Sequence, residues 1–263
     1  MRLREFVGSK FLFHEKPADE PFILNESEEK THRKFYDIYG KKESVKISSS
    51  LAYNVDYMKQ RYYYENNSDL ILRDLNITVQ GKRIPAAAFF FDGLVNKQLI
   101  GQLIMMPVLK EITEDVKPSR MADYLMRNVI SQNQVKLCLH FDKVMEELNF
   151  GGCIIFVDGC AEALAMDVKG WEHRSISDAK NEVTIKGPQE AFCEVLRINT
   201  ALIRKTLKNE ALVNQGFTIG EMSKTPTSLL YINNIANQEL VKEVQRRLNN
   251  IKVSYVMDTG ELE

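Results

Sequence analysis

Two stretches far apart in this chain read alike: PAAAFFFDGLVNKQLI at 85–100 and PTSLLYINNIANQELV at 226–241. Pro85 and Pro226, Asn96 and Asn237, and Leu99 and Leu240 coincide without a gap, and the hydrophobic pattern matches at nearly every other position. Each stretch reads as an apolar strand, a turn, and a helix opened by a capping asparagine. A second candidate strand precedes each one, at 70–77 and 212–219, with turn residues at 80–82 and 220–224. A chain that carries this unit twice is expected to be α/β, with two related lobes, each a mixed sheet flanked by helices.

Length fits that division, since 263 residues exceed the usual domain of roughly 100–200. The expected boundaries are a partly helical N-terminal extension at 1–65, a first lobe at 66–168, a connector at 169–187 and a second lobe at 188–263. Charge is nearly balanced, with a formal net of −1, which argues against a nucleic-acid binder. No apolar run approaches the roughly 20 residues that cross a bilayer. The start, MRLREFVGSKF, has no continuous apolar core of a secretory signal. The four cysteines form no CxxC pair and suit a reducing compartment. Cys138 and His140 lack further ligands at metal-binding spacing, so neither a metal nor a cofactor is expected.

Between the repeats the periodicity predicts helices over 50–64, 120–130 and 135–148, the last with Cys138, Phe141, Met145 and Leu148 in register. Pro107 is expected to stop the helix that begins at Asn96. Strands are expected at 153–157 and 161–168 around the hairpin signal Asp158-Gly159, and a short one at 253–257. After Gly187-Pro188 a helix over 188–208 should bury Phe192, Val195, Leu196, Leu202, Ile203 and Leu207 on one stripe, with Pro188 in its first turn. Asn199 interrupts that stripe, and a buried amide must find partners. It either ties the helix to a neighbouring loop or contacts a ligand.

Little in the sequence looks catalytic. Asp92, Asp158 and Asp258 follow apolar strands, but Asp before Gly at a strand end is turn chemistry. The counterpart of Asp92-Gly93 is Asn233-Asn234, which keeps the turn and drops the charge. Asp258-Thr259-Gly260 has no second copy. His173 lacks an evident nucleophile partner. No GxGxxG, Walker-type or GxSxG motif is present. Tyr62-Tyr63-Tyr64 reads as cover for a core edge, with an aromatic ligand platform as the alternative. Arg197 and Arg204 lie seven apart on one helix face, either docking an anionic ligand or a protein or forming a solvated face with short-range ion pairs.

The ordered series SDLILRDLNI, AAAFFFDGLVNKQLI, CIIFVDGCAEALAMDVKGWEHRSI, NEVTIKGPQEAFCEVLRINTALIRK and IGEMSKTPTSLLYINNIANQELVKEVQRRL resembles the soluble N-terminal region of GerA-type A subunits of bacterial spore germinant receptors. It spans about residue 66 to the C-terminus. A paralogue in the dipicolinate-release operon is similar too. Arg174, Glu182, Gly187, Pro188, Phe192, Glu194, Asn199, Leu202, Ile203 and Arg204 match the family pattern. Ser177-Asp178, Lys186, Gln189-Glu190-Ala191 and Lys205 depart from it, and a Lys does not replace an Arg where a bidentate contact is needed.

The resemblance implies a non-enzymatic sensory or signal-transducing domain at the spore inner membrane, on the core side. Its implied partners are a transporter-like B subunit and a lipoprotein C subunit, with homo-oligomers through the full-length membrane region. A small nutrient ligand in a pocket between the lobes is the competing expectation, and a hydrolase or transferase using Asp92, Asp158 or His173 a third. Arg174, Glu182, Asn199 and Arg204 are the candidate inter-lobe or ligand contacts. Glu194 and Arg197 form the candidate partner face.

Overall fold

The computed structural model describes residues 44–170, 190–256 and Gly260. Lys41–Gln215 forms one compact unit and Gly216–Glu263 falls in a second. In chain order the elements are α1 (Leu51–Arg61), β1 (Leu70–Val79) and β2 (Lys82–Phe91). Helix α2 opens as Lys97–Leu99, widens into a π-helix over Ile100–Met105 and closes as Met106–Val108. Helix α3 is Met121–Tyr124 continued by a π-helical Leu125–Val129. Then come β3 (Val135–Cys138), α4 (Phe141–Asn149), β4 (Gly152–Val157), β5 (Ala163–Asp167) and α5 (Leu196–Thr206). The series ends with β6 (Leu212–Ile219), β7 (Thr225–Ile232) and α6 (Gln238–Asn250).

The larger unit is built on a five-stranded sheet of order β1-β2-β4-β5-β3, whose neighbouring strands are all antiparallel. Strand alternation explains its layering. Ala86, Ala88 and Phe90 of β2, with Ile155 and Val157 of β4, face one core with Ile104 of α2 and Leu125 of α3. Ala87, Phe89 and Phe91, with Ile154 and Phe156, face the opposite core with Met58 of α1, Phe141 and Leu148 of α4 and Ala201 of α5. Both central strands are covered on two faces, which is why they are written as unbroken apolar runs. Phe89 and Phe156 meet edge to face at 6.1 Å, and Tyr57 stacks on Phe141 at 3.9 Å. Truncating Phe89 to Ala would cost roughly 3–5 kcal/mol.

Local chemistry sets the strand ends. The β1–β2 turn has positive φ at both Gln80 (46°) and Gly81 (77°), as a tight hairpin requires. Pro85 is tolerated in a central strand because the pairing of β2 with β4 begins one residue later, at Ala86 opposite Val157. Asp158 does more than turn the chain: its Oδ1 accepts from the Leu51 N–H at 3.1 Å, at the start of α1.

The repeated unit is visible in the backbone. Asn96 Oδ1 accepts from the N–H groups of Gln98 and Leu99, and Asn237 Oδ1 from those of Glu239 and Leu240, after paired strands in each case. Burial separates the copies. The last six residues of β2 are buried, whereas no residue of β7 is fully buried. In α6 only Val241 is buried, and Arg246 and Arg247 fork onto Glu243, holding its carboxyl down at about 2.

Four expectations fail. Residues 135–138 are the edge strand β3 rather than helix, because Val135 and Leu137 pair with Met166 and Leu164 of β5 and the chain stays extended through His140. Helix α2 continues one residue past Pro107, since the π-helical turn bonds Met106 N–H back to Gly101 O and shifts the frame ahead of the proline. Residues 253–256 form no strand; Val253 O and Ser254 O accept instead from Glu221 and Met222 of the β6–β7 turn. Helix α5 starts at Leu196, and the expected stripe is not the face it buries: Phe192, Val195 and Leu207 are exposed, Leu196, Leu202 and Ile203 are partly buried, and the buried residues are Thr200, Ala201 and Arg204. Pro188 lies outside the described residues.

Burial pushes the Cys153 thiol up to about 12 and that of Cys138 up to about 11. Only Cys193 is not fully buried. An aromatic disulfide reagent at mildly alkaline pH should therefore label Cys193 promptly in the native chain, and Cys138, Cys153 and Cys160 only after denaturation. Prompt native labelling of Cys153, read by peptide mass, would contradict its place in the sheet.

Candidate functional site

Helix α5 is entered from an extended Val195 (φ −96°, ψ 105°). Asn199 explains that entry. Its Nδ2 donates to Cys193 O at 2.6 Å and its Oδ1 accepts from Cys193 N–H at 2.8 Å. The side chain thus satisfies backbone groups that a longer helix would have paired internally. The partner of Asn199 is the segment just before its own helix.

One turn further on, Arg204 is 3% exposed and wholly engaged. Its Nε and Nη2 donate to Asp69 Oδ2 and Oδ1 at 2.6 and 2.7 Å, a bidentate pair. Nη2 also reaches Asn67 Oδ1 at 2.7 Å, and Nη1 reaches Leu212 O at 3.3 Å. The guanidinium carbon sits 4.1 Å from the centre of the Phe91 ring. Asn67 extends the network by donating to Tyr62 O and accepting from Asn214 N–H. Ser68 N–H donates to Asn214 O, and Asp92 N–H to Asp69 O. One side chain thereby joins α5, the entry to β1, the end of β2 and the start of β6. Burial holds the Tyr62 phenol well above its ordinary value, so its hydroxyl remains a donor to Asn149 Oδ1.

Beside this network is a second charged group. Gly93 follows β2 with φ +93°, and a Cβ there would lie 3.3 Å from both Ala201 Cβ and Arg197 Cγ. Glycine is therefore needed both for the turn and for the approach of α5. Asp92, 9% exposed, binds two cations: Lys97 Nζ lies 2.9 Å from Oδ1, and Arg197 Nη1 meets Oδ2. The turn reading accounts for Gly93 but not for the buried carboxylate, whose charge the Asn233-Asn234 copy lacks. A cleft of about 460 Å³ opens here, lined by Asp92, Asn96, Lys97, Arg197, Ile198 and Leu202 among others.

The expected residues are thus distributed unevenly. Arg204 lies in the buried network and Asn199 braces the start of its helix. Arg197 lines the cleft with its side chain 54% exposed, while Glu194 is exposed just before α5. Arg174, Glu182 and His173 lie outside the described residues, as does Asp258. Sequence reasoning missed Asn67, Asp69 and Lys97. Their one signal was polarity at the edges of strongly apolar strands, which turns also explain. Among the described residues no group of His, Cys, Asp and Glu could hold a metal ion.

A buried bidentate network and a charged cleft thus lie together at the strand ends of a sheet covered on both faces. The comparisons give the chain a family. The model described as Bacillus/Clostridium GerA spore germination protein matches residues 56–263, and the chain belongs to that family. It is 30% identical over 223 residues to spore germination protein KA of Bacillus subtilis (strain 168), covering 85% of this chain and 40% of that protein. It is 27% identical over 214 residues to stage V sporulation protein AF of the same organism, covering 81% and 42%. The chain thus spans about two fifths of these relatives' length. Its fold resembles the crystal structure of the N-terminal domain of the A subunit of the Bacillus megaterium spore germinant receptor GerK3, with a TM-score of 0.57 and 24% identity, covering 83% of this chain and 78% of that one.

Arg204→Met should lower unfolding stability by about 3–5 kcal/mol, because Asp69 is left buried without its counter-charge. Adding Asp69→Leu should recover part of that loss, since the two effects are coupled. Urea unfolding of the single and double variants measures both. A single variant within about 0.5 kcal/mol of wild type would remove the network from the stabilising core.

Proposed function

We propose that this chain is a non-enzymatic soluble domain of a germinant-receptor A subunit, taking part in nutrient sensing and passing the signal on at the spore inner membrane. Family membership and the fold shared with the GerK3 domain support the receptor assignment. The observation that carries the coupling role is Arg204, which fastens a helix to two other segments through buried hydrogen bonds and to a third through the face of Phe91. Such a joint moves its elements as one body, which suits a relay and offers no exposed reacting group.

In this reading the domain lies on the core side of the membrane, with B and C subunits as partners and with oligomers formed through the remainder of the full-length protein. Among the described residues no helix is long and apolar enough to cross a membrane. The division into lobes at 66–168 and 188–263 belongs to the same proposal. Glu194 and the half-exposed Arg197 are the proposed partner face, and Arg174 and Glu182 the proposed further contacts. A second reading, a small-molecule binding module, is favoured by the 460 Å³ cleft, which falls within the roughly 300–1,000 Å³ typical of ligand pockets.

Spores lacking the gene for this chain, and the same spores given back the wild-type or the Arg204→Met gene, should separate in dipicolinate release after a mixed nutrient stimulus. The wild-type gene is expected to restore prompt release, and the variant to restore less at equal protein level. Deletion spores that release dipicolinate at the wild-type rate for every nutrient would overturn the assignment to germination.

A further inference from the structure

The cleft beside α5 carries more positive charge than its own packing uses. Lys97 and Arg197 share the carboxylate of Asp92, while Lys205 pairs with Glu190 in the same lining, so the cleft keeps a net formal charge of +1. Among the described residues neither Lys97 nor Arg197 has another acceptor. Arg197 engages Asp92 through Nη1, which leaves its Nε and Nη2 donors side by side for a planar acceptor. Asp92 holds that guanidinium from behind, and Gly93 lets the helix backbone come close enough for it to do so.

The remaining lining narrows the chemistry. Val95 is 5% exposed, and Ile198 and Leu202 from α5 add two half-buried aliphatic surfaces across the same cleft. A doubly charged anion would overcompensate the cleft and be repelled by Asp92. A neutral molecule could accept from Arg197 but would leave its charge unmatched and make the weaker, single-acceptor bond. A monoanion with a short hydrocarbon part satisfies both features.

We propose that this cleft binds a small aliphatic carboxylate. The carboxylate sits on the Nε–Nη2 edge of Arg197 with Lys97 beside it, and the hydrocarbon lies against Val95, Ile198 and Leu202. Asp92 is a positioning residue that keeps the guanidinium aimed. This deepens the binding-module reading and does not depend on the germination role, because binding is measured on the isolated chain.

Isovalerate is a suitable probe, with isovaleramide as its neutral isostere, and inorganic phosphate and sodium chloride at matched ionic strength as controls. At about twenty times a roughly millimolar Kd, isovalerate should raise the melting temperature of the 263-residue chain by a few degrees through mass action. The amide and the salts should not. Arg197→Gln should weaken isovalerate binding about tenfold or more, and Lys97→Gln about threefold, by isothermal titration. Lys97 has a side chain 64% exposed, so its variant keeps the test open should Arg197→Gln unfold. The proposal is overturned by an equal shift with chloride, which is screening, or by a response to phosphate alone. It is equally overturned by affinity unchanged in Lys97→Gln, or by no response to isovalerate.

Discussion

The buried Arg204–Asp69 pair is the contact on which the arrangement of this chain depends. A guanidinium and a carboxylate removed from water are costly unless every donor and acceptor is matched. Here the matching groups come from Asn67, Leu212 and the face of Phe91. Those partners come from the entry to β1, the start of β6 and the end of β2. The pair therefore specifies which segments meet, and the apolar cores on either side of the sheet supply the bulk of the driving force. Hydrophobic burial is non-directional and would accept α5 in several registers; a bidentate pair accepts one.

That registration also explains the cleft. Helix α5 sits where Arg204 fixes it, and Gly93 allows its backbone to approach the end of β2. Arg197, two turns earlier on the same helix, is then delivered to Asp92. A buried joint and an open charged group are consequently set by the same helix. The two are linked through one eleven-residue helix, held near its start by Asn199 and near its end by Arg204.

Much of the architecture was legible in the sequence because it is written locally. The apolar runs of β2 and β4, the turns after them, and the capping Asn96 and Asn237 are all properties of a few adjacent residues. What escaped is non-local or degenerate. The spacing of Cys138, Phe141, Met145 and Leu148 suits a helix, yet the first of them faces Ala163 across a strand pair that no local pattern announces. The stripe through Phe192 and Val195 was periodic by residue type, but Asn199 spends its amide on Cys193 and starts the helix later. Asp69 looked like any polar residue before a strand, because its partner is 135 positions away. The family resemblance to GerA-type proteins marked Arg204 as a residue to watch, and only the fold shows what it holds.

That same separation bears on the order in which the molecule assembles. The β1–β2 and β4–β5 pairs are near neighbours in sequence and close small loops, so they can form early. Joining β2 to β4 closes a far longer loop, and contacts of that range slow folding. The Arg204 pair spans a greater distance still and needs Asp69 already placed by β1. A contact of that range is expected to close late. A bond made after the barrier retards unfolding far more than it hastens folding. In a chain of this design, a late-closing joint between helix and sheet would act as a latch, lengthening the lifetime of the native state.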